Sequence, residues 1–126
     1  MHESIEEQLQ AGGRVDGSAP ELVERAQSLG YAVFEADCSK AKSLSAVLRA
    51  IANAVDYPEY FGSNLDALLD CLTGTVLDQP RGALVILRGL NTEEPGIAPH
   101  VDALLETFAD AVEYVRDNNR VMAYAV

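Results

Sequence analysis

The stretch YPEYFGSNLDALLDCLTG, residues 57–74, decides how the chain is organised. Pro58 ends whatever precedes it, because proline pushes the preceding residue out of helical backbone, and Gly62 permits a turn that most residues resist. Ser63 is a natural N-cap, and Asp66, three positions on, sets a carboxylate beside the free amides and positive end of a helix. Leu65, Leu68, Leu69 and Leu72 recur at the i, i+3, i+4, i+7 spacing of one buried stripe, and Gly74 is expected to close the helix in a left-handed cap. Asp66, Asp70 and Thr73 share a second face, displaced from the leucines by roughly a third of a turn.

Like charges at i, i+4 cost an isolated helix about a few tenths of a kcal/mol. No Lys or Arg lies between Arg49 and Arg81, whereas that interval holds Asp56, Glu59, Asp66, Asp70 and Asp78. A charge run is usually a solvated face; read functionally, this one is a surface that awaits a cationic partner.

Working outward, 126 residues predict one domain with a core of useful size. Twenty acids against nine bases give a net charge of −11, which argues against direct binding of nucleic acid and favours a basic protein partner. The two cysteines, Cys38 and Cys71, sit in no metal-binding spacing, and Cys71 beside the leucine stripe reads as a small packed hydrophobe. No apolar run approaches 18 residues and no secretory segment follows Met1, so the expectation is a cytoplasmic protein, off the membrane, with both thiols reduced.

In chain order, residues 1–17 are poor in apolar side chains and read as a fraying helix or a flexible arm. Ser18 with Glu21 forms a capping box for a helix that contains Pro20 in its first turn and ends at Gly30. YAVFEA, residues 31–36, reads as a strand. Ser43 caps a helix that keeps its period through Leu44, Val47, Leu48, Ile51 and Val55 until Tyr57-Pro58. After the leucine-rich helix come ALVIL at 83–87, of the kind buried on both faces, and a polar loop at 91–99. A long helix with Val101, Leu104, Leu105, Phe108, Val112 and Val115 on one side ends at Asn118-Asn119, and VMAYAV, residues 121–126, is a further strand. Connections that each contain a helix predict an α/β fold with a small three-stranded parallel sheet flanked by helices, preceded by an N-terminal helical extension.

The block at 57–74 closely resembles the central segment of the barstar family, intracellular inhibitors of barnase-like, guanyl-specific ribonucleases. The resemblance is dense over that block and collinear over about 31–126, leaving residues 1–30 outside it. It implies an inhibitor domain at 31–126, a one-to-one complex with a basic barnase-like ribonuclease, and no cofactor. It also implies a ribonuclease-facing surface made of Tyr60, Asp66, Asp70, Thr73 and Gly74. Asp70 would enter the enzyme's anion site, Asp66 would pair at its rim, Tyr60 would lay its ring on the enzyme, and Thr73 with Gly74 would form the close edge. Asp110 would stand for a further acid on the helix before the last strand. Leu69 and Thr75 occupy positions where tryptophans occur in the family, and the chain has no Trp, so affinity or partner choice is expected to differ.

Two competing classes remain. The same module could bind another basic protein, such as a toxin, since fold does not fix function. An enzyme could use Asp66 and Asp70 as a metal-binding or acid–base pair, but the only histidines are His2 and His100, and no nucleophile has a base the sequence can nominate. No catalytic or metal-ligating residue is therefore assigned.

Overall fold

Burial from both sides of Ala83, Leu84, Val85, Ile86 and Leu87, none more than 4% exposed, sets the architecture. The computed structural model describes residues 4–56 and 64–126. Its elements in chain order are α1 (Ile5–Ala11), β1 (Gly13–Arg14), α2 (Ala19–Ser28), β2 (Ala32–Asp37), α3 (Leu44–Ala54), α4 (Leu65–Leu77), β3 (Gly82–Arg88), a 3-10 turn (Ala98–His100), α5 (Val101–Asp117) and β4 (Val121–Ala125). All strand pairs are parallel, in the order β1-β4-β3-β2.

Strand alternation distributes the core. Ala83, Val85 and Leu87 of β3, with Met122 and Tyr124 of β4, meet α3, α4 and α5 on one face. Leu84 and Ile86, with Ala123 and Ala125, meet α1 and α2 on the other. Phe108 of α5 lies against Tyr124, ring centroids 5.1 Å apart. Gly82 opens β3 directly opposite Val121, and a side chain there would strike the Val121 carbonyl.

Several local expectations hold. The Ser43 hydroxyl accepts from the Ala46 amide at 3.1 Å, Gly30 ends α2 at a φ of 80°, and Asn118 caps α5 before Asn119 turns left-handed at a φ of 63°. Others are corrected. The sheet has a fourth strand, β1, which aligns Gly13 with Ala123. Residues 4–17 are not a loose arm: their few apolar side chains, Ile5, Leu9 and Val15, all pack into the second core, and Leu9 is 0% exposed. Ser18 stands at the N-cap of α2, yet its side chain makes no capping bond. Arg116 Nη2 donates to the Ala11 carbonyl at 3.1 Å, so a cation on α5 closes the C-terminal end of α1.

Burial also shows in titration. It pushes the Cys38 and Cys71 thiols from 9.0 up to about 11, and it raises the Tyr31 phenol. These folded-state values lie above the unfolded ones, so their stabilising contribution is complete below about pH 9 and is lost as pH rises toward 11. Denaturant midpoints should therefore fall across that window, and thiol reagent at about pH 8 should label neither cysteine before unfolding; labelling of folded and unfolded protein at equal rates would refute it. Replacing Leu9 with Ala should cost about 2–4 kcal/mol in equilibrium unfolding. A loss below about 0.5 kcal/mol, the level of ordinary surface changes, would mean that α1 is not part of the cooperative core.

Candidate protein-binding surface on α4

Asn64, not Ser63, caps α4: its Oδ1 accepts from the amides of Asp66 at 2.9 Å and Ala67 at 3.2 Å. Ser63 and Tyr60 lie outside the described residues. The inner face of α4 consists of Leu68, Cys71, Leu72 and Val76, all fully buried, with Leu65 and Leu69 half-buried against the same core. Its main neighbour is α5.

Gly74 does not end this helix. α4 continues to Leu77, and the Asp78 amide donates to the Gly74 carbonyl at 3.2 Å. Burial of Val76 makes the extra turn worthwhile, and Arg120 Nε donates to the Gln79 carbonyl at 2.6 Å just beyond it. Mid-helix glycine costs about 0.5–1 kcal/mol relative to alanine. Among the described residues nothing calls for it: a Cβ at Gly74 would meet none of their atoms within 4 Å, and φ is not positive there.

The outer face carries the residues singled out from the sequence. Asp66, Asp70 and Gly74 are exposed and Thr73 is half-buried. Asp66 lies in the first turn, where the helix dipole favours it; Asp70, one turn on, has no such support. Among the described residues neither carboxylate has an ion pair; the ion pairs seen, Arg25–Glu6 at 3.0 Å and Arg88–Asp37 at 3.7 Å, lie elsewhere. The Thr73 hydroxyl donates to the Leu69 carbonyl at 2.9 Å and also lies 3.2 Å from that of Asp70, which leaves its oxygen available as an acceptor. Asp110 is exposed on α5, so it shares with α4 a helix pair rather than a helix. Leu69 packs against the core, and the Thr75 side chain bonds the buried Cys71 thiol, so neither position presents an anchor to solvent.

Asn64 was missed as the cap, although an Asn directly before the first leucine of the stripe is the relevant signal. Among the described residues no group of three or more His, Cys, Asp or Glu could hold a metal, and no helix is long and apolar enough to cross a membrane. A groove of about 500 Å³ lies between β2 and α3, lined by Glu35, Asp37, Lys40 and Arg49, and it includes nothing from α4.

The fold is thus a parallel α/β sheet whose helix α4 turns outward acids that have no ion pair among the described residues. Residues 31–126 match the family described as Barstar (barnase inhibitor). Over 72 residues, 57% of this chain and 76% of the other, the chain is also 33% identical to a Bacillus subtilis (strain 168) protein named "Putative ribonuclease inhibitor YrdF". The chain belongs to the barstar family, and α1, β1 and α2 precede the matched region.

Replacing Gly74 with Ala should stabilise the free protein by about 0.5–1 kcal/mol, read from urea unfolding. A destabilised variant would show that this position is constrained from within.

Proposed function

We propose that this protein inhibits a secreted, guanyl-specific ribonuclease of the barnase type, one molecule to one, by filling its cationic active site with the outer face of α4. The observation that carries this reading is the exposed run Asp66, Asp70, Gly74: among the described residues, two carboxylates without an ion pair and a glycine that costs stability without internal use, in a chain of the barstar family.

A ribonuclease active site must be cationic, because it stabilises phosphate charge that develops in the transition state. Carboxylates held at phosphate-like positions satisfy the same arginines and lysines without offering a bond to cleave. In this arrangement Asp70 enters the anion site and Asp66 pairs at its rim. Thr73 offers its free lone pairs, and the missing side chain at Gly74 lets the enzyme's backbone come close. Tyr60 is assigned to the same surface by the family pattern, and Asp110 extends it onto α5. Inhibition requires no catalytic group, metal or cofactor on this chain, and the cytoplasm of the producing cell is where such protection acts.

The inward-facing Leu69 and Thr75 favour a second reading, in which the same surface serves a different basic protein, such as a non-ribonuclease toxin.

Titration of barnase and related ribonucleases with the purified chain separates these readings. Stoichiometric inhibition is expected, with association slowed by salt because a −11 chain and a basic enzyme steer one another. Asp70→Ala should weaken binding on the order of 100-fold or more, the range measured for desolvated charge pairs, those of barnase and barstar included. Folded protein that inhibits no member of the panel would move the assignment to another basic partner, and equal losses for Asp70→Ala and Glu7→Ala would remove α4 from the interface.

A further inference from the structure

We propose that Tyr114 is the aromatic anchor of this surface, stacking its ring on a basic side chain of the ribonuclease; the inference rests on the inhibitor reading above. Tyr114 is 54% exposed, and the only other large hydrophobic side chain exposed among the described residues is the C-terminal Val126. No described partner holds its hydroxyl. Such a ring contributes little to the free fold, whereas a rigid aromatic surface is what protein interfaces use as an anchor. α4 itself contains no aromatic residue.

Its place follows from the packing of α5. Arg116 reaches the Ala11 carbonyl, and α5 also contacts β1, so this flank of α5 faces the β1 edge of the sheet. The other flank faces α4, which leads into β3 on the far side of β4. At about 100° per residue, Tyr114 lies on that α4-facing flank, well around the helix from Arg116, and Asp110 lies next to it toward the outer face. The two helices run parallel, because each leads by a short link into one of two parallel neighbouring strands. Tyr114 lies three residues before the end of α5 and Gly74 three before the end of α4, with Thr73 beside it. Tyr114 is therefore level with Thr73 and Gly74, and Asp110 with Asp70, along the two parallel helices.

The chemistry of the rim selects the occupant. Asp110 and Asp117, four residues before Tyr114 and three after it, are both exposed on the same side of the helix. An aromatic face with an anionic border attracts a guanidinium or ammonium group, which gains from the ring quadrupole and from the carboxylates together. A basic enzyme already drawn to Asp66 and Asp70 brings such groups to the adjoining face of α5.

The test measures association and dissociation of the full chain with barnase and related guanyl-specific ribonucleases, for the wild type, Tyr114→Ala, Tyr114→Phe and Asp70→Ala. Tyr114→Ala should raise the dissociation rate about tenfold with an unchanged unfolding midpoint, and Tyr114→Phe should stay near the wild type. If Tyr114→Ala dissociates like the wild type while Asp70→Ala does not, the anchor is wrong and the inhibitor reading stands. If Tyr114→Phe loses as much as Tyr114→Ala, the hydroxyl makes the contact and stacking is overturned. Failure of the wild type to bind any of these enzymes overturns both proposals.

Discussion

Everything in this molecule depends on covering both faces of one short parallel strand. β3 offers Ala83, Val85 and Leu87 to one side and Leu84 and Ile86 to the other, and a parallel strand can be covered only by elements that cross over the sheet. The family-matched region supplies α3, α4 and α5 for the first face. The second face is covered by α1 and α2, from the residues that precede the match. A chain with the first 30 residues removed would leave Leu84, Ile86, Ala123 and Ala125 facing water, so those residues belong to the energetics of the fold whatever else they do.

That division of labour frees the outer side of α4. Its leucines and Val76 are gripped from within, Asn64 satisfies its first amides, and Arg120 reaches the carbonyl of Gln79 beyond its last turn. A helix so fastened can carry Asp66 and Asp70 one turn apart and a glycine in its third turn, features that would weaken it if it had to stand alone. Propensity loses here to tertiary packing.

The same competition explains what the sequence made legible. The stripes of α3, α4 and α5 were readable because several large apolar residues repeat in each, and the ALVIL run was readable because it lacks the alternation of a half-exposed strand. α1 could not be told from a flexible arm, because Ile5, Leu9 and Val15 are too few to set a period, and β1 was not readable because it exists only through its pairing with β4. Gly74 reads as a stop for α4, whereas the buried Val76 beyond it carries the helix on. Of the candidate surface, Asp66, Asp70 and Thr73 could be placed on one helical face by counting. The relation of Asp110 to them could not, since it depends on which flank of α5 turns toward α4, and only the tie between Arg116 and Ala11 reveals that.

That tie also bears on how the surface stays in shape for a partner. Arg116 and Arg120, four residues apart, each spend their charge on a helix-terminal or post-helical carbonyl, Ala11 for one and Gln79 for the other. Two of the nine basic side chains are thus committed to backbone oxygens at this end of the sheet instead of to the acids on the outer face. Had they been placed on α4 or on the outer side of α5, they would have neutralised the field that steers a cationic partner. Used where they are, they offset the partial negative charge of helix ends and leave the acidic face unopposed, so that the arrangement that holds the helices in register also preserves the charge that the proposed partner would neutralise.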